Sequence, residues 1–118
     1  MDNSGSTVVF AWGVRTPRLT LALQLARSGL PVALLEAGPD ISEELRASTF
    51  HPPTLDMLDG LGLAAPLIAQ GLVTPTWQIR RHADGERAVF DLSVIASDTA
   101  HPYRLQAEQW KLSRLLLA

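Results

Sequence analysis

The sequence predicts an α/β fold: one parallel strand–helix–strand unit, a helical excursion after it, a β-hairpin, and a closing helix. Three observations carry that prediction. Two short apolar runs, residues 7–12 (TVVFAW) and 31–36 (PVALLE), bracket an apolar-rich stretch at 18–28, all within about thirty residues, the usual extent of a βαβ unit. Two strand-like runs, residues 76–81 (TWQIRR) and 87–94 (RAVFDLSV), flank Asp84-Gly85, a favoured hairpin turn pair. Third, 118 residues hold one domain or part of one, and are few for an enzyme that must seat two substrates.

Each element has its own local reason. The β-branched and aromatic run at 7–12 suits a buried parallel strand. Leu19, Leu21, Ala22, Leu23, Leu25 and Ala26 fill one broad helical face and spill onto a second, predicting a largely buried helix that Gly29 stops. Residues 37–50 are polar and turn-rich. Pro52 and Pro53 fit only before or within the first turn of a helix, so a helix lined by Leu55, Met57, Leu58 and Leu61 is expected from Pro53, ended by Gly60 and Gly62, with a short second helix at 66–70 ended by Gly71. Residues 105–118 place Trp110, Leu112, Leu115 and Leu116 at helical spacing without a visible cap, and with no Gly or Pro stop the end at Ala118 reads as a truncation.

Composition narrows the function classes. Ten basic against twelve acidic residues, mixed along the chain for a net charge of −2, give no electrostatic footprint for nucleic acid. With no cysteine, and with His51, His82 and His101 far apart, neither a disulfide nor a metal site is expected. Apolar runs are too short to cross a bilayer and residues 1–7 lack a secretory pattern, so the expected location is the cytoplasm.

The βαβ unit directs attention to its two turns. Glu36 ends the second strand, 23 residues after Gly13, near the roughly 20 at which a carboxylate accepts hydrogen bonds from the ribose hydroxyls of an adenosine. A strand-ending Glu also occurs for structural reasons alone. The first turn would need G-x-G-x-x-G for a dinucleotide: a tight turn, room for the diphosphate, and close helix packing. Here it reads Gly13-Val14-Arg15-Thr16-Pro17-Arg18. Only the first glycine is present, and Arg15 and Arg18 bring bulk, together with positive charge, where the other two would stand.

Three ordered words in the chain, LLEAGP at 34–39, RASTFHPPTLDML at 46–58 and LQAEQWKLSRLLL at 105–117, resemble the N-terminal region of FAD-dependent aromatic-ring monooxygenases of the phenol hydroxylase and para-hydroxybenzoate hydroxylase type. The resemblance runs from about Val8 through the final helix. It implies a Rossmann-like FAD-binding fold, with Gly13, Glu36, Ala37, Arg46 and Gln109 as the cofactor-binding residues: Glu36 on the ribose, Arg46 on the diphosphate or the flavin side, and Gln109 at the start of the last helix. Gln106 is the alternative to Gln109, and a helix-capping role for Gln106, Glu108 or Gln109 stays open. Arg in that setting suits a planar, permanently charged fork against phosphate.

In the resembling enzymes NAD(P)H reduces FAD, and the reduced flavin with oxygen hydroxylates an electron-rich ring, phenol-like or polyketide. No catalytic side chain of that scheme carries onto this sequence. The family's later DG and GD motifs and its substrate domain have no counterpart before Ala118, so residues 1–118 are expected to be the N-terminal part of the FAD-binding domain, inactive alone and prone to self-association through exposed apolar faces such as Leu115 to Leu117. The alternative from another class is a degenerate Rossmann-like module without cofactor, acting through a protein contact or not at all. Trp77 and Trp110 are expected in the core, His51 and His101 in turns, Glu43-Glu44 on a solvated face, and Asp91 without an acid/base role.

Overall fold

The computed structural model describes residues 8–13 and 15–118, so Thr7 and Val14 of the readings above lie outside the described residues. Strand β1 (Val9–Trp12), helix α1 (Thr16–Arg27) and strand β2 (Val32–Leu35) form the expected unit. The strands are parallel, with Val9 opposite Val32 and Trp12 opposite Leu35. Gly29, at φ +84°, ends α1, and the Leu30 amide donates back to the Leu25 carbonyl at 3.1 Å, a helix stop that the left-handed conformation of glycine permits.

Helix α1 departs from expectation in its burial. Leu19 alone is buried within it, and Leu21 is 56% exposed. The helix packs on β1, β2 and the chain's last helix, and that two-stranded sheet is too narrow to cover a face as broad as the sequence presents.

The remaining elements are β3 (Thr49–Phe50), α2 (Pro52–Gly60), α3 (Ala64–Ile68), β4 (Leu72–Thr74), β5 (Thr76–Arg80), β6 (Arg87–Asp91), a 3-10 turn (Leu92–Ile95), β7 (Arg104–Gln106) and α4 (Gln109–Leu117). The prolines open α2, and the hairpin falls where Asp84-Gly85 placed it, with Gly85 at φ +72° and Arg80 opposite Arg87. Trp77 stacks on Phe90 across the hairpin, ring centroids 4.3 Å apart. Asp91 accepts the Ser93 amide at 2.9 Å and so caps the 3-10 turn.

A three-stranded antiparallel sheet in the order β3-β7-β4 has no forerunner in the sequence reading. Its strands are two or three residues long, too short to show a period. Leu105, expected in the closing helix, is instead central in β7, and that helix begins only at Gln109. The main core forms here: Leu55, Leu58, Leu67 and Leu105 are wholly buried, with Leu112 of α4 packed on them.

Gly71 also proves to have a different purpose. Its φ is not positive, and a Cβ there would stand 2.8 Å from the Gln106 carbonyl oxygen and from Leu105 Cδ1. The residue is glycine because the turn into β4 runs against β7, beyond any duty as a stop for α3. Among the described residues no helix is long and apolar enough to cross a membrane.

Candidate functional site

Parallel pairing brings the carboxyl ends of β1 and β2 together, and the Gly13 amide donates to the Leu35 carbonyl at 2.8 Å. Gly13 and Glu36 therefore leave the sheet side by side. Gly13 has φ +86°, so the tight turn that the first glycine must make is present. Arg15 is the N-cap of α1 with φ −118° and ψ 154°, an extended conformation open to any residue; a glycine at that position would contribute only space. The Arg18 guanidinium folds back over the turn, its Nη1 2.7 Å from where a Cβ on Gly13 would stand.

Beside this turn lies a cleft of about 210 Å³. One wall is the start of α1, with Arg15 and Thr16; another is the loop before β3, with Ile41, Ser42, Glu44 and Arg46; the third is the start of α4, with Gln109, Trp110 and Ser113. The two helix starts are joined by the Thr16 and Ser113 hydroxyls at 2.7 Å. The loop is moored to α4 by Arg114, which reaches Asp40 at 3.2 Å and Glu43 at 2.7 Å, and by the buried Ile41. The Ile41 amide, followed by Arg114, holds the Asp40 carboxyl below the usual carboxylate range.

The structure thus brings Arg46 and Gln109 into one cleft and adds Arg15 to them. Glu36 does not line that cleft: it borders a neighbouring depression with Gly38, Pro39, Asp40, Ile41 and Leu117, and Ile41 borders both. Its Oε1 accepts the Gly38 amide at 2.8 Å. Ala37 is exposed and lines neither. Gln106, the alternative to Gln109, is turned to other work: it donates to the Ser48 hydroxyl at 3.1 Å and accepts from the Thr49 hydroxyl at 3.3 Å. Glu108 is the N-cap of α4 without a side-chain cap bond and pairs with Lys111 at 2.6 Å.

Three further expectations change. Glu43 and Glu44 are more than a solvated face, because each holds an arginine, Arg114 and Arg46, at 2.7 Å. Trp110 is half-buried and lines the cleft rather than the core, with the Lys111 and Arg114 cations 5.7 and 5.8 Å from its ring. His101 does sit in a turn, yet its side chain is buried, with Nδ1 2.6 Å from Asp56 Oδ1, while the Thr99 hydroxyl donates to the same carboxylate at 2.7 Å. A histidine before a proline gave no hint of an acid 45 residues away.

That cluster ties the approach to β7 onto α2, and it has a pH signature. The hydrogen bond from His101, then that from Thr99, lower the Asp56 pKa. A depressed carboxyl contributes stability that is present above its unfolded value, about 3.9, and lost as pH falls through the folded one. Asp56→Asn is therefore expected to lower the urea midpoint at pH 7, and its deficit should shrink as pH falls below the usual carboxylate range; a deficit that stays constant on acidification would show that the carboxylate's charge is irrelevant.

A parallel β–α–β start, an acid closing its second strand, and an arginine-bearing cleft where both strands end define an α/β protein of the nucleotide-cofactor class. Comparison with known proteins narrows this further: the FAD binding domain family matches residues 18–118, and the chain belongs to that family. It is 38% identical over 99 residues to 6-hydroxy-3-succinoylpyridine 3-monooxygenase of Pseudomonas putida, covering 84% of this chain and 25% of that one. It is 36% identical over 99 residues to para-nitrophenol 4-monooxygenase of a Pseudomonas species, covering 83% and 24%. Among solved structures, p-nitrophenol 4-monooxygenase of Pseudomonas putida superposes with a TM-score of 0.82 at 33% identity, over 93% of this chain and 28% of that one. The chain spans about a quarter of the length of the curated relatives it matches.

The family's cofactor is FAD, and the residues present fit it unevenly. Arg46 and Gln109 line the cleft and Glu36 the adjoining depression, so that a cation, an amide and a carboxylate lie near the Gly13 turn. At the diphosphate turn the fit is poor by the family's usual route, since Arg15 and Arg18 stand where glycines give a backbone approach. The family match begins at Arg18, so that turn lies outside the matched span.

Proposed function

We propose that the chain is the FAD-binding portion of an NAD(P)H-dependent flavin monooxygenase that hydroxylates a small aromatic ring, phenol-like or polyketide. The observation that supports this most is the meeting of Arg46 and Gln109 in one cleft, with Glu36 bordering the adjoining depression. In this reading Glu36 accepts the ribose hydroxyls, and Gly13 and Ala37 let the backbone pass close to the adenosine side. Arg46 neutralises diphosphate charge, and the Gln109 amide donates to ligand oxygens at the start of α4. FAD supplies the redox and oxygen chemistry when bound; this chain's residues hold and orient it. The aromatic substrate class rests on the names of the relatives, which act on a hydroxylated pyridine and a nitrophenol.

A second reading, a degenerate module that takes no cofactor, draws support from one observation, the Arg18 guanidinium lying over Gly13. Titrating FAD into the chain and following flavin fluorescence decides between them. Saturable quenching by the native chain is the expected result; no saturation, either with it or with the Arg15→Gly, Arg18→Gly double variant, removes the cofactor reading.

A further inference from the structure

We propose that Arg15 replaces the missing second glycine as a side-chain ligand, holding the diphosphate of a dinucleotide against Arg46 across the cleft. This rests on the cofactor reading above and deepens it, because the family's glycine turn offers backbone at this point and no charge.

Four features of the site converge on it. Backbone donation is weakened at the start of α1: Pro17 has no N–H, and the Leu19 amide is already given to the Arg15 carbonyl at 2.9 Å. That leaves Thr16 and Arg18 as the first-turn residues that still carry an amide hydrogen, fewer than a helix start normally presents to an anion. No acidic residue lies in the first turn of α1, so no side chain of that turn offsets the positive end of the helix.

Arg15 also stands where its side chain is useful. Its extended backbone accommodates a Cβ without strain, and it lines the cleft opposite Arg46, with Gln109 on the third wall. Two arginines lining one cleft suit an anion with oxygens on two phosphorus atoms better than a single carboxylate. At about 210 Å³ the cleft is smaller than the roughly 300–1,000 Å³ of pockets that enclose a drug-sized ligand. It matches a charged segment of a dinucleotide, with the rings lying outside.

Glu44 supplies the competitor that such a site requires when empty. It pairs with Arg46 at 2.7 Å, and both side chains are about half exposed or more. An exposed pair of this kind is weakly held, so an incoming diphosphate displaces Glu44 at little cost, and removing the Glu44 charge should favour the ligand.

The test is calorimetric titration of the 118-residue chain with ADP, FAD and adenosine, each at low and moderate salt. Arg15→Ala and Arg15→Gly are expected to weaken ADP and FAD roughly tenfold while leaving adenosine unchanged; Arg15→Lys should recover part of the loss, and Glu44→Gln should tighten ADP severalfold. Arg15 is exposed, so these variants keep the fold, and a thermal melt verifies it. Equal or tighter ADP binding by Arg15→Gly would overturn the proposal, since the side chain would then be an obstruction. Absence of ADP and FAD binding by the native chain overturns it as well. In that case FAD binding by the Arg15→Gly, Arg18→Gly variant leaves the cofactor reading intact, and its failure to bind ends both.

Discussion

Leu105→Ala is expected to cost about 2–5 kcal/mol, the range for emptying a fully packed leucine site. Leu105 is wholly buried and lies in the central strand of the β3-β7-β4 sheet, opposite Phe50 on one side and Val73 on the other. Helices α2, α3 and α4 contribute Leu55, Leu58, Leu67 and Leu112 to the same cluster. Leu105 Cδ1 fills the space beside Gly71, where a Cβ would come within 2.8 Å of it, so truncation opens a void at the turn into β4. At roughly 4 °C per kcal/mol for a chain of this size, the melting temperature should fall by about 8–20 °C, a large part of the 5–15 kcal/mol by which domains are stable. Leu117→Ala, at a side chain 50% exposed, should stay within about 0.5 kcal/mol. Circular-dichroism melts of the two variants side by side check this; similar losses would mean that the cluster around β7 is not the main source of stability.

The same residue shows where sequence reading stops. Leu105 stands seven residues, about two helical turns, ahead of Leu112, so a helical period absorbs it, while the true signal is a three-residue strand whose partners lie at 49–50 and 72–74. Pairing between distant segments leaves no local period to read. Long elements with punctuation were legible: β1, α1 and β2 from two apolar runs and Gly29, α2 from Pro52-Pro53, and the hairpin from Asp84-Gly85. Burial was less so. The leucines of α1 specify a broad apolar face, yet whether it is covered depends on what packs there, and the two-stranded sheet leaves Leu21 exposed.

Of the candidate site, residue types were legible and the grouping only in part. Glu36 was singled out by its place at the end of β2, while Arg46 and Gln109 were singled out only by the family resemblance. That Arg46 and Gln109 share a cleft, with Glu36 in the next depression, depends on the loop at 37–48, whose path is set by Arg114 reaching Asp40 and Glu43. Those are contacts over more than seventy residues of sequence, and of the two acids Glu43 reads in the sequence as part of a solvated face. Arg15, read from sequence as bulk in the wrong place, turns out to have an extended backbone and a side chain on the cleft wall.

That division of the site makes a distinct expectation for ligand binding. Glu36 and Arg46 border different depressions that meet at Ile41, so they should act on different parts of one dinucleotide. Glu36→Ala removes a charged acceptor and is expected to weaken both FAD and adenosine by roughly ten- to a hundredfold, the worth of one or two hydrogen bonds to a carboxylate. Arg46→Ala should weaken FAD over a similar range and leave adenosine unaffected, with a shallower dependence on salt because a charge contact to phosphate has gone. As the two side chains share no ligand atoms, the double variant should show nearly the sum of the two losses in free energy. Fluorescence titration with FAD and calorimetry with adenosine measure all four chains. Loss of adenosine binding in Arg46→Ala, or its retention in Glu36→Ala, would mean that adenosine is not seated at the end of β2, and the orientation of the dinucleotide across the two depressions would have to be reversed.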